Sequence, residues 1–144
     1  MSIRDIEKLD DQGIKAWDTH DPDAFVALFA DTFTATDDSV PEPMKTKDAL
    51  RDYSEAWFRA FPDMHLKVTN RVVTEDGVGA EIEFTGTNTG PMAMGGMEMP
   101  ATNKKVNGNG SYFAKIRDGK ITEFHAHPNV AGVMMQLGMM PSAQ

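Results

Sequence analysis

The sequence contains no cysteine, and this absence removes several kinds of chemistry at once. The chain forms no disulfide, has no thiolate nucleophile and offers no cysteine ligand to zinc or an iron–sulfur cluster. Positive charge is also scarce, because 14 Lys and Arg residues stand against 22 Asp and Glu residues and the net charge is −8. A nucleic-acid backbone is bound by clustered Lys and Arg, and the sequence has no such cluster, so we expect no nucleic-acid partner.

Long apolar runs are missing as well. No stretch approaches the roughly 20 apolar residues that a membrane-spanning helix needs. The first residues, MSIRDIEKLDDQGIKAW, lack the basic and apolar segments of a secretory signal. We therefore expect no membrane partner and a cytoplasmic location. With 144 residues, of which 40% are apolar and 25% charged, the composition predicts a single globular domain over residues 1–144.

The hydrophobic periodicity changes along the chain and predicts an α+β fold. Helical spacing, with caps at Asp21 and Thr46, predicts the helices 2–18, 22–30 and 46–61, and a short strand fits 31–37. From Met64 the period is two, which predicts hairpins over 64–90 and 104–128, the second with an Asp-Gly turn. The Gly-, Pro- and Met-rich stretch 91–103 is predicted as a loop, and a helix ends the domain. Helices segregated from antiparallel strands indicate an α+β domain.

Four segments carry a resemblance to a known family: AWDTHDPDAFVALFADTF, AWFRAFPDMHLKV, FTGTNTGP and IRDGKITEFHAHPNVAGVMMQLG. In this order they resemble the SnoaL-like polyketide cyclase group of the nuclear transport factor 2-like superfamily, over nearly the whole chain. The resemblance implies a curved antiparallel sheet wrapped around N-terminal helices, forming a cone with an interior pocket. It also implies a homodimer without metal or cofactor. Family cyclases close a ring by aldol condensation with an aspartate at the end of the last strand, and Asn129 stands at that position here.

Alternate residues of the last strand are polar: Glu123, His125, His127 and Asn129. Alternate side chains share one face of a strand, and the resemblance implies that this face contributes to the pocket. Histidine titrates near neutral pH, so His125 and His127 are candidate catalytic residues that could take an α-proton or protonate an enolate. A surface or satisfied structural role for both is the alternative. A metal site is the weakest reading, because ligands at i and i+2 lie about 6.5–7 Å apart.

Other residues are candidates for binding a substrate. Aromatic side chains with a polar group occur on the predicted helices, amides alternate on the preceding strand, and the Met-rich loop could cover the pocket as a lid. The substrate-binding candidates are Trp17, Tyr53, Trp57, Asn107, Asn109, Asn129 and Met94. Asp37 and Asp38 end the first predicted strand and could supply a carboxylate to the pocket, but we expect both to be solvated loop acids.

Three hypotheses follow for function. The first is a cofactor-independent lyase or isomerase that uses aldol or enolisation chemistry on a small hydrophobic carbonyl compound. The alternative is a non-catalytic protein that binds a small apolar ligand in the same pocket. The third is a homodimeric interaction domain with no ligand.

Overall fold

The computed structural model describes residues 2–94 and 97–139, in which we find four helices and seven strands. The helices are α1 (Ile3–Asp18), α2 (Pro22–Val26), α3 (Lys47–Ala60) and α4 (Val130–Gln136). The strands are β1 (Phe29–Asp37), β2 (His65–Val73), β3 (Gly77–Thr87), β4 (Met92–Met94), β5 (Met97–Met99), β6 (Lys105–Arg117) and β7 (Lys120–Pro128). Within the described ranges, no helix is long and apolar enough to cross a membrane.

Side-chain caps fix where the helices begin. Ser2 and Asp5 form a capping box at the start of α1, where each side chain accepts a hydrogen bond from the other residue's backbone N–H. The caps predicted at Asp21 and Thr46 are confirmed, since their side chains accept from the backbone N–H groups of Ala24 and Ala49. These caps satisfy backbone donors that have no partner inside the helix.

Five strands form one open sheet in the order β1-β7-β6-β3-β2. All neighbouring strands are antiparallel except β1, which runs parallel to β7, a pairing that the sequence did not predict. Parallel neighbours need a long connection, and here most of the domain lies between the two strands. Register shifts in β1–β7, β2–β3 and β6–β7 mark bulges, which add to the twist and curvature of the sheet.

Two parts of the predicted pattern need correction. The stretch 91–103, predicted as a loop, contains the short hairpin of β4 and β5, in which Met92 pairs with Met99. The second helix is shorter than predicted and ends at Val26, because the residues from Phe29 onward pair with β7 instead. The predicted Asp-Gly hairpin turn is confirmed, with φ of 52° at Asp118 and 79° at Gly119.

The sheet has an inner face, which carries Phe84, Tyr112 and Phe124, and an outer face, which carries Glu83, Phe113 and His125. The inner face packs against α1, α2 and α3 in the main hydrophobic core. Aromatic rings meet edge to face there, as in Phe25–Phe124 with ring centroids 5.7 Å apart. Because the core is apolar, a polar side chain inside it finds hydrogen-bond partners mainly among the other polar side chains there.

Candidate active site

A cavity of about 90 Å³ lies between the inner face of the sheet and the helices α1 and α3. Its walls are almost entirely apolar and aromatic, with Trp17, Phe25, Trp57, Phe84, Phe124 and both tyrosines among the lining residues. Two carboxylates, Asp10 and Asp37, also line it. Apolar cavities with a few convergent polar groups are the usual form of a small-molecule site.

Asp10 reaches the cavity from the apolar side of α1. It lies four residues from the buried Ile6 and the half-buried Ile14, so the helical repeat turns it toward the sheet, and it is only 8% exposed. The Tyr112 hydroxyl donates to Asp10 Oδ1 over 2.7 Å, and Arg71 Nη1 donates to Oδ2 over 3.1 Å. Burial raises the pKa of Asp10, and the bonds from Tyr112 and Arg71 offset part of that rise. Asp10 is thus a buried carboxyl group that can hold or release a proton.

Arg71 does not serve Asp10 alone. The same Nη1 donates to Asp11 Oδ1 over 2.7 Å, and Asp11 is exposed. A single guanidinium on β2 therefore fastens two consecutive acids of α1 to the edge of the sheet. Because the charge of Arg71 is shared between Asp10 and Asp11, it neutralises the charge of Asp10 only in part.

Asp37 ends β1 and points into the cavity, with 5% exposure. The expectation that it is a solvated loop acid is wrong, because the alternation of buried residues along β1 includes this position. The Tyr53 hydroxyl donates to Oδ2, and the backbone N–H and hydroxyl of Ser39 both donate to Oδ1. All three donors require Asp37 to accept, as an ionised carboxylate does.

The two tyrosines of the cavity are held in their protonated form. Burial raises the pKa of Tyr53 well above its usual value, and the nearby charge of Asp37 adds to the rise. Burial, reinforced by the charge of Asp10, raises the pKa of Tyr112 in the same way. Both hydroxyls therefore act as hydrogen-bond donors inside the cavity.

The histidine stripe lies on the other side of the sheet. Phe124, Ala126 and Pro128 line the cavity, so the intervening His125 and His127 belong to the outer face. The expectation that their face contributes to the pocket is wrong. The physical reason is that the cavity is an extension of the apolar core, and a strand turns its apolar side chains toward the core.

Both histidines have local partners on the outer face. His125 Nδ1 lies 2.7 Å from the Thr36 hydroxyl and its Nε2 lies 3.2 Å from Glu123 Oε1. His127 Nδ1 lies 3.1 Å from Asp38, and the two side chains are 46% and 54% exposed. The hydrogen bond from His125 and the charge of Lys115 lower the pKa of Glu123. His125 therefore pairs with Glu123, and His127 pairs with Asp38. The three residues Glu123, His125 and His127 do not converge on one point, as a metal site would require.

The predicted amide residues also lie outside the cavity. Asn109 and Asn129 line a shallow polar groove on the outer face together with His127, and their side chains are hydrogen-bonded to each other over 3.0 Å. Asn129 is the N-cap of α4, since its Oδ1 accepts from Gly132 N. Asn107 exchanges two backbone hydrogen bonds with the side chain of Gln136. The position at which the resemblance implies a catalytic acid therefore starts a helix here.

The structure places three of the other substrate-binding candidates at the cavity and does not describe the side chain of the fourth. Trp17, Tyr53 and Trp57 all line the cavity, and their contact with a substrate stays a prediction. The side chain of Met94 lies outside the described part of the structure. Met92 is buried in a second core cluster beside α4, and the described methionines of the segment 91–99 do not line the cavity, so their position does not support a lid.

Sequence reasoning did not single out Asp10 and Tyr112. Asp10 is followed by Asp11, and two acids on an amphipathic helix look like a solvated face. One signal was available, because Asp10 falls on the same helical stripe as Ile6 and Ile14, where an apolar residue is expected. Tyr112 follows the polar Ser111 in the strand, and this alternation predicts that Tyr112 lies on the apolar face. The alternation does not indicate that Asp10 is its hydrogen-bond partner.

The comparisons with known proteins bear on the family and the fold of the chain. The family model of the SnoaL-like polyketide cyclases matches residues 8–137. The chain belongs to the SnoaL-like polyketide cyclase family. Within this family the fold is an α+β domain with a curved, unclosed sheet, as the chain shows. No curated protein matches the chain significantly.

Several solved structures share the fold. AclR from Streptomyces galilaeus superposes with a TM-score of 0.84 at 22% identity, over 99% of this chain and 87% of that one. A protein from Jannaschia sp. CCS1, named for the SnoaL-like polyketide cyclases, has a TM-score of 0.77 at 18% identity and 94% coverage of both chains. A protein from Catenulispora acidiphila with a ketosteroid isomerase-like fold, solved in complex with trimethylamine, has a TM-score of 0.75 at 17% identity, over 92% of this chain and 93% of that one. At these identities the likeness concerns the fold alone.

Proposed function

We propose that this member of the family is a cofactor-independent lyase or isomerase that enolises a hydrophobic carbonyl compound in the cavity, with Asp10 as the group that moves the proton. One observation carries the proposal: a buried carboxyl with a raised pKa lines an apolar cavity and is hydrogen-bonded to a protonated tyrosine. A general base works best when its pKa approaches the working pH, and burial moves Asp10 in that direction.

The reaction is balanced by these groups alone. Asp10 removes a proton from the carbon next to the carbonyl, and the electrons of the broken C–H bond pass to the carbonyl oxygen as an enolate. Once Asp10 carries the proton, it no longer needs the Tyr112 hydroxyl, which can turn to donate to the enolate oxygen. The α-carbon of the enolate then attacks a second carbonyl, whose oxygen receives the proton from Asp10, or a conjugated dienolate takes that proton at its γ-carbon, which shifts the double bond. The first outcome is an aldol closure and the second an isomerisation.

Deuterium exchange tests the proposal without knowledge of the natural substrate. Acetone and butanone, which are compact enough for a cavity of about 90 Å³, are incubated with the protein in D₂O, and mass spectrometry follows deuterium at the α-carbons. We expect exchange above the buffer rate, and a loss of about 10²–10⁴-fold in Asp10→Asn, the usual contribution of a general base. His125→Ala and His127→Ala are matched controls on the outer face and should keep the wild-type rate.

Two results would count against the proposal. Full exchange in Asp10→Asn removes the base from the mechanism, and loss of exchange in a histidine variant returns the chemistry to the outer face. A protein that binds the ketones in its cavity without any exchange is instead the non-catalytic binding protein. The use of Asn129 as a helix cap favours that second function, because the family's acid is then absent from its usual position.

The proposal includes a homodimer that pairs through the outer face. Phe113 is 53% exposed and Val72 is 64% exposed there, and large apolar side chains on a sheet face are commonly covered by a partner. Light scattering of the wild-type chain and of Phe113→Lys tests this, since the added charge should shift the protein to a monomer.

A further inference from the structure

The charges that line the cavity are all of one sign. Asp10 and Asp37 are its two ionisable acids, and among the described lining residues none is a Lys, Arg or His. Arg71 lies behind Asp10 and is divided between Asp10 and Asp11. Asp10 is therefore compensated in part by Arg71, whereas Asp37 has no cation beside it among the described lining residues, in an environment that screens charge poorly.

Within the described ranges, Asp37 is the carboxylate of the cavity that lacks a cationic partner. Its hydrogen-bond partners, Tyr53 and Ser39, are neutral donors that satisfy its oxygens without cancelling its charge. In the described part of the chain it forms no ion pair, and the neighbouring Asp38 is turned to His127 on the outer side. Burying a carboxylate without a cation is unfavourable, so a positive ligand beside Asp37 would offset a cost that the protein bears alone when empty.

Aromatic rings line the same cavity as this carboxylate, and one of them contacts it. Tyr53, whose hydroxyl contacts Asp37, packs edge to face on Trp17 with ring centroids 5.8 Å apart, and Trp57 completes the same wall. The faces of such rings attract organic cations, and Trp does so most strongly. The cavity of about 90 Å³ is smaller than the roughly 150 Å³ cavity that admits benzene, so it suits a compact group rather than fused rings.

We infer that the cavity holds a compact organic cation, a tertiary or quaternary alkylammonium group, with its charge beside Asp37 and its alkyl groups against Trp17 and Trp57. The inference rests on the proposed function only in placing the ligand in this cavity. Taken with that function, it makes the substrate a carbonyl compound that carries an alkylammonium group. Binding is measured without turnover, so a failure here leaves the exchange experiment untouched, and the reverse also holds.

Three probes of nearly equal shape test the charge. Choline, 3,3-dimethylbutan-1-ol and 3,3-dimethylbutanoate present a positive, a neutral and a negative form of similar skeletons. The protein has two tryptophans, and both line the cavity, so intrinsic fluorescence reports ligand entry directly, with calorimetry as a second readout. We expect choline to bind at least about tenfold tighter than the alcohol, and the carboxylate to bind weakest. Equal binding of choline and the alcohol, tighter binding of the carboxylate, or no binding of choline overturns the inference.

A pair of adjacent substitutions locates the effect. Asp37→Asn keeps Oδ1 for the Ser39 donors and removes the charge, so the preference for choline over the alcohol should fall to about one. Asp38→Asn makes the same change one residue along, on the exposed outer side, and should leave the preference at its wild-type value. Circular dichroism confirms that both variants are folded. If Asp37→Asn does not fold, the three-probe series on the wild-type chain decides. A preference that survives in folded Asp37→Asn removes Asp37 from the site.

Discussion

On the inner face of the sheet, aspartates pair with tyrosines inside an apolar cavity, whereas on the outer face histidines pair with acids in solvent. The two sets contain similar hydrogen bonds, with Tyr112 2.7 Å from Asp10 and Thr36 2.7 Å from His125. Their surroundings differ, because water competes for every group of the outer pairs and is largely excluded from the inner ones. Burial therefore raises the pKa of Asp10 on the inner face, while a hydrogen bond from His125 lowers the pKa of the exposed Glu123. Histidines are the obvious acid/base candidates in a sequence because they titrate near neutral pH. Exclusion of water, however, decides which carboxyl group has a raised pKa.

The largest difference between the faces should appear when a methyl group is added to a glycine on each. A Cβ at Gly108 would lie 2.0 Å from Cζ of the packed Phe84 ring, whereas a Cβ at Gly79 would meet the exposed Phe113 ring at 2.8 Å. Gly108→Ala should destabilise the fold by about 1–3 kcal/mol, since Phe84 must move within a packed core. At protein concentrations at which the chain is monomeric, Gly79→Ala should cost less than about 1 kcal/mol, because Phe113 can then turn into solvent. Urea denaturation measures both, and equal effects would contradict the contrast.

Removal of one hydrogen-bond donor from each face gives a smaller difference. Tyr112→Phe leaves the buried Asp10 with Arg71 as its remaining partner, and we expect a loss of about 1–2 kcal/mol in the free energy of unfolding. Thr36→Val removes the outer partner of His125, which water can replace, and should change stability by less than about 0.5 kcal/mol. Chemical denaturation at neutral pH checks both, and a larger loss for Thr36→Val would reverse the interpretation.

The smallest effect distinguishes the faces by the sign of their pH dependence. The folded-state pKa of Asp10 is raised, so its contribution to stability is complete below its unfolded pKa of about 4 and is lost as pH rises through the folded pKa. Asp10→Asn should therefore gain stability relative to wild type as pH increases from about 4 toward 7. The folded-state pKa of Glu123 is lowered, so its contribution is present above its unfolded pKa and is lost as pH falls through the folded pKa. Glu123→Gln should differ from wild type at neutral pH and converge with it in acid. Denaturation curves across this range test both signs, and a flat difference for Asp10→Asn would mean that its pKa is not raised.

Much of the fold could be predicted because it depends on local patterns. Capping side chains at Asp21 and Thr46 and the Asp-Gly turn at Asp118 act within a few residues, and each is found where the sequence predicts it. The pairing of β1 with β7 was not predicted, because it joins residues far apart in the chain and leaves no local signal.

The site was harder to predict for a related reason. Alternation along β7 showed which residues share a face, but not which face looks into the cavity. The apolar Phe124 and Ala126 were the better guide, since a pocket continuous with the core takes the apolar side of its strand. Asp10 and Asp37 are ordinary surface residue types, and only the packing of α1 and α3 over the sheet removes them from water.

The bond between Asp10 and Tyr112 also bears on the order in which the protein folds. It joins α1 to β6 across 102 positions of the chain, so it can form only after most of the polypeptide has been synthesised. Contacts between such distant residues require closure of a long loop and are made slowly. We expect α1 to dock on β6 late in folding. The ligand cavity would then be absent from early folding intermediates and complete only in the last step, so a ligand that binds there would slow unfolding.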